Sequence, residues 1–103
     1  MKKDPQVSVS VKEILDLIKK ISPGKSVELR IPPYGAIQCV AGGKHKRGTP
    51  PNTVEMSAQV LFQLRSNPKM WAELVKSGQI SASGVASDLS SVFDQLSQKY
   101  PVG

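Results

Sequence analysis

The stretch VELRIPPYGAIQC, Val27 to Cys39, limits the possible folds more than any other part of the chain. Val27, Leu29 and Ile31 alternate with Glu28 and Arg30, the period of a strand with one buried face and one wet face. The next run, GAIQCVA, alternates again, with Ala36 and Gln38 on one side and Ile37 and Cys39 on the other. Only PPYG separates the two runs, so the chain must return antiparallel to itself. Pro32 and Pro33 end the first ladder, because neither has an N–H to donate.

The flanks of this hairpin are helical. In SVKEILDLIKKI, Val11, Ile14, Leu15, Ile18 and Ile21 fall on one face and the charges on the other. Ser10 and Glu13 have the spacing of a capping box, which predicts a helix starting there, and SPG at 22–24 stops it. TVEM reads as a third strand and SAQVLFQLRS as a helix with Val60, Leu61 and Leu64 inward. Asn67 and Pro68 have the chemistry of a helix start, so PKMWAELVKSG reads as the next helix. Met70, Trp71, Leu74 and Val75 are its inner face, and Gly78 closes it. QISASG is a fourth strand. Ser87 or Asp88 then caps a last helix whose stripe is Leu89, Val92, Phe93 and Leu96. The expectation is one domain over 1–103: an N-terminal helix in 1–26, strands and a basic loop in 27–57, and helices, a strand and a C-terminal helix in 58–103. Without a long βαβ alternation, the class is α+β with a mainly antiparallel sheet of about four to five strands covered by helices.

Charge is unevenly placed. The net charge is +6, and residues 1–26 and 27–52 contribute +3 each, while 53–103 sum to zero. A basic half keeps a protein soluble and also draws it to anionic partners. No apolar run reaches the ~18 residues of a membrane span. No secretory apolar core follows the first lysines, so a cytoplasmic location is expected. A single cysteine, Cys39, agrees with a reducing compartment.

Chemistry is sparse. PGKS at 23–26 resembles the tail of a phosphate-binding loop, but Lys19 stands where the first glycine belongs. Its context is also reversed, with a helix before and a strand after. A catalytic triad would need His45, which sits among cations that lower its basicity. Cys39 lies in an apolar strand, where an inert buried thiol is the expected state. Structural zinc takes about four Cys or His ligands, and the chain has two such residues. No catalytic residue, metal or cofactor is therefore expected. Nucleic acid is not an expected partner either, since the basic half has one aromatic, Tyr34, for bases to stack on.

With the residues laid out, a resemblance emerges. VELRIPPYGAIQC, GGKHKRGTPPNTVE and WAELVKSGQISASGVASDLSSVF resemble the bacterial branch of the sterol carrier protein family. The likeness runs from about Val27 to Phe93, some two-thirds of the chain, and RGTPPN and SGQISASGVASDLS, of the form SGxIxASGxxxDLS, are the segments specific for that branch. It implies an α+β sterol-carrier-like fold, with helices over a curved sheet and an apolar ligand space between them. It also implies non-enzymatic binding of a fatty acid, an acyl chain or a sterol-like molecule. The expected apolar wall is Leu61, Leu64, Trp71, Leu74, Leu89, Val92 and Phe93. A standing empty space of ~300 Å³ would cost about 7 kcal/mol, against a total stability of about 5–15 kcal/mol. Such a space must therefore be filled, small, or opened by movement of the last helix.

The loop AGGKHKRGTPPN, Ala41 to Asn52, is first a stiff connector, with Thr49, Pro50 and Pro51 extended and glycines at its reversals. Its functional expectation is that Lys44, His45, Lys46 and Arg47 meet an acidic headgroup or an anionic membrane surface. The alternative for the whole protein is a basic module that binds an acidic macromolecule.

Overall fold

The computed structural model describes residues 3–42 and 52–102. Helix α1, Pro5–Ile21, begins earlier than its capping-box signature suggests. Asp4 is the cap: its carboxylate accepts from the backbone N–H of Gln6 at 2.9 Å and Val7 at 3.3 Å. Pro5 takes the first helical position, where a missing N–H is harmless. Ser10 is an exposed residue inside the helix. The Asp-Pro pair therefore outcompetes the capping box. Val11, Ile14, Leu15 and Ile18 are the buried stripe.

Strands β1, Val27–Ile31, and β2, Gly35–Cys39, form the antiparallel hairpin, with Val27 opposite Cys39 and Ile31 opposite Gly35. Strand β3, Asn52–Met56, lies along the other side of β1 and runs parallel to it. Strand β4, Ile80–Ser83, pairs antiparallel with β3. The order β2-β1-β3-β4 makes a mixed four-stranded sheet, with two of its three pairings antiparallel.

Helix α2, Ala58–Ser66, is capped by the Ser57 hydroxyl, which accepts from Val60 N–H. The expected next helix splits in two. Pro68–Met70 is a 3-10 turn without a side-chain cap from Asn67, and α3 is the short helix Trp71–Lys76. Gly78, at φ +82°, closes α3: Gln79 N–H donates to Leu74 C=O and Gly78 N–H to Val75 C=O, the two bonds of a Schellman ending. Helix α4, Ser90–Lys99, completes the chain, and Asp88 Oδ1 accepts from Ser90 N–H at its start.

Alternation along the strands decides the layering. Val27, Leu29, Ile31, Val54, Met56, Cys39 and Ile80 are buried and pack in one cluster with the stripes of α1, α2, α3 and α4. The opposite face of the sheet carries Arg30, paired with Glu28 at 2.6 Å and reaching Glu55 at 3.9 Å. These ion pairs are exposed and add little stability. The sheet thus buries one face under the helices and leaves a polar face open, as antiparallel hairpins permit.

Candidate functional site

The seven expected wall residues come from three elements, and the fold brings them all together. Leu61 and Leu64 are on α2, Trp71 and Leu74 on α3, Val92 and Phe93 on α4, and Leu89 immediately precedes α4. Every one is buried within the single core cluster, and Trp71, at 7% exposure, is the least covered. The Trp71 and Phe93 rings stack with centroids 6.2 Å apart and planes inclined by 29°. The seven therefore belong to one continuous apolar cluster that includes a stacked aromatic pair.

Two surface depressions lie elsewhere. One, of about 500 Å³, has Phe62 and Met70 for its apolar floor and Gln59, Gln63, Ser66 and Asn67 around them. The other, of about 400 Å³, lies beside Met56, Pro32 and Ser81. None of the seven residues lines either one. Access to the seven requires a part of the fold to move, and the lead-in to α4 is tied to the sheet by side-chain hydrogen bonds.

Those bonds converge on Asn52, which is buried at the start of β3. Its Nδ2 donates to the backbone carbonyl of Ser26 at 2.9 Å. Its Oδ1 accepts from the backbone N–H of Ala86 at 3.0 Å. The loop ahead of α4 is then tightened by Ser87 Oγ, which donates to Gly84 C=O at 2.8 Å. Gly84 must be a glycine here, since a Cβ would sit 2.2 Å from Asn52 Oδ1 at a φ of +107°. Asn52 thus pins the α4 lead-in to the start of the sheet. Its role escapes a pattern reading, because an asparagine at the edge of a loop reads as turn chemistry.

Lys44, His45, Lys46 and Arg47 lie outside the described residues. The segment that contains them is joined to Gly42 and Asn52, and both of these abut Ser26.

Among the described residues, no cluster of His, Cys, Asp or Glu has the geometry of a metal site, and no helix is long and apolar enough to cross a membrane. Cys39 is fully buried, and burial pushes its thiol up from 9.0 to about 11. A shift of this size lowers the thiolate fraction near neutrality about 100-fold. Thiol-reagent labelling at pH 8 is expected to be at least that much slower in the native protein than in urea-unfolded chain. Because the folded state holds the proton more tightly, this contribution to stability is intact below pH 9. It is lost as pH rises from there through about 11. Labelling at the unfolded rate would show that the strand is open.

The comparisons with known proteins agree with this architecture. A family model described as "Bacterial SCP ortholog" matches residues 3–94, so the likeness takes in α1 as well as the hairpin and the C-terminal half. A solved structure named "UbiJ-SCP2 Ubiquinone synthesis protein" superposes with a TM-score of 0.53 at 19% identity, covering 99% of each chain. That similarity shows the sterol-carrier-like fold. No curated protein matches the chain. With its residues matched nearly end to end, the chain belongs to the family of bacterial sterol carrier protein orthologs.

Proposed function

We propose that this chain binds and carries a long-chain hydrophobic molecule, such as a fatty acid or other acyl chain, with no chemistry of its own. The observation that carries the reading is the gathering of Leu61, Leu64, Trp71, Leu74, Leu89, Val92 and Phe93 into one apolar layer, in a family whose domains commonly bind lipids. In this reading α4 swings aside at the Asn52 clasp and the ligand chain takes its place over α2 and α3.

Magnitudes restrict the ligand. Lifting Val92, Phe93 and Leu96 from the core costs roughly 5–9 kcal/mol, at ~1.5–3 kcal/mol per side chain. A palmitoyl chain, at ~0.8 kcal/mol per buried methylene, returns about 12 kcal/mol. An octanoyl chain returns about 6 kcal/mol, near the low end of that cost, and leaves almost nothing over for binding. Binding is therefore selective for long chains and weak enough to reverse, which suits a carrier.

The test uses Trp71, the chain's one tryptophan. Palmitate is expected to shift its emission and octanoate is not, and native mass spectrometry of freshly purified protein should show a co-purified lipid. In the same proposal the basic segment meets the anionic membrane from which the ligand is drawn. Replacing Lys44, Lys46 and Arg47 with serine should then weaken binding to phosphatidylglycerol vesicles at low salt, at ~1 kcal/mol per cation. No shift with palmitate, no bound lipid and steeply salt-dependent binding to nucleic acid would instead favour a basic interaction module.

A further inference from the structure

Helix α2 carries one charged residue, Arg65, and it is placed unusually. The side chain is half-buried, and its Nη1 is shut off from solvent with no hydrogen-bond acceptor. Among the described residues, the ion pairs are confined to Arg30 with Glu28 and Glu55, so no carboxylate serves Arg65. A buried donor without a partner is uncommon in folded proteins and calls for a cause. Position in the last turn of α2 explains why a cation is tolerated, since it meets the negative end of the helix dipole. It does not explain why Nη1 has sunk out of water while making no bond to the helix-end carbonyls.

The surroundings supply a cause. Arg65 follows Leu64 directly and stands one turn beyond Leu61, both fully buried members of the apolar layer. Long side chains on a helix lean back over the preceding turn, which here is the turn of Leu61. A guanidinium also presents paired donors that fit a carboxylate in two parallel bonds. We propose that Arg65 is the headgroup receptor of the apolar site, its free guanidinium donor binding the carboxylate of a long-chain fatty acid whose tail lies against Leu61 and Leu64. This rests on the carrier reading and refines it from hydrophobic molecules in general to anionic amphiphiles.

The experiment compares palmitate, 1-hexadecanol and hexadecyl phosphate, which share a sixteen-carbon tail, on the wild type, Arg65→Gln and Arg65→Lys. Trp71 emission and competition with a fluorescent fatty acid are the readouts. The wild type should bind palmitate at least tenfold more tightly than hexadecanol. Arg65→Gln should lose that tenfold preference while its affinity for hexadecanol stays within twofold. Arg65→Lys should keep part of the preference, since it retains the charge and loses the fork. Hexadecyl phosphate matching palmitate on the wild type would assign the site to anionic headgroups broadly, and weaker binding would assign it to carboxylates. The urea midpoint separates binding from structure: removing an unpaired buried donor leaves it unchanged or raises it. Equal binding of palmitate by wild type and Arg65→Gln, or a lowered midpoint with an unchanged headgroup preference, overturns the proposal and leaves the carrier reading standing. A wild type that binds none of the three overturns both.

Discussion

Gly24→Ala is expected to lower the unfolding free energy by about 3 kcal/mol or more, while Gly35→Ala costs about 1–2 kcal/mol. Both glycines have strongly positive φ, +151° and +153°. They differ in what surrounds them. A Cβ on Gly35 would meet nothing within 4 Å. One on Gly24 would fall 2.1 Å from the carbonyl oxygen of Val40 and 2.4 Å from the backbone nitrogen of Ala41. Those atoms are backbone and cannot rotate away. They are also committed: Val40 C=O accepts from Ser26 N–H at 3.0 Å, and Val40 N–H donates to Ser22 C=O at 2.8 Å. Val40 itself is held at φ +66°, a costly state for a β-branched residue. The exit of α1, the entry of β1 and the exit of β2 therefore meet at one crossing with no room for a methyl group. Urea titration of the two variants side by side isolates the crowding from the strain they share. Equal midpoints would mean that the crossing relaxes freely and that α1 is loosely joined to the sheet.

That crossing also shows where a sequence stops being readable. The hairpin, the helical stripes and the Gly78 stop are local, and each carries its own signal: a period of two, a period near four, a residue free to take positive φ. The start of α1 is local too, but two valid signals compete there. Asp4 and Pro5 win because they add a whole first turn that Ser10 and Glu13 would leave unformed. The parallel pairing of β1 with β3 has no local signal. β3 takes the free edge of β1 and leaves that of β2 open, a choice that rests on contacts far apart in sequence. Burial of the seven wall residues follows from periodicity, yet periodicity cannot separate the wall of a ligand site from solid core. Asn52 escapes a pattern reading for a related reason: its partners, Ser26 and Ala86, are far away in sequence.

Phe93→Ala addresses that distinction between wall and core. Phe93 is buried and stacked on Trp71, so truncating it should cost about 3–5 kcal/mol. Against a total of about 5–15 kcal/mol, this is a large fraction, and the loss should appear as a lower urea midpoint and an altered near-ultraviolet signal from Trp71. Should the variant be too unstable to titrate, Phe93→Leu gives a smaller loss of the same kind. The informative step is to add palmitate to both proteins. A ligand that binds only the native state adds about 2.7 kcal/mol at a hundredfold excess over its Kd. A fatty acid that raises the midpoints of wild type and variant alike is using a site the natural chain already opens. One that rescues only the variant is filling an artificial hole, as apolar molecules do in any engineered dry cavity. The stacked Trp71–Phe93 layer would then be ordinary core, and the carrier function proposed for it would have to be abandoned.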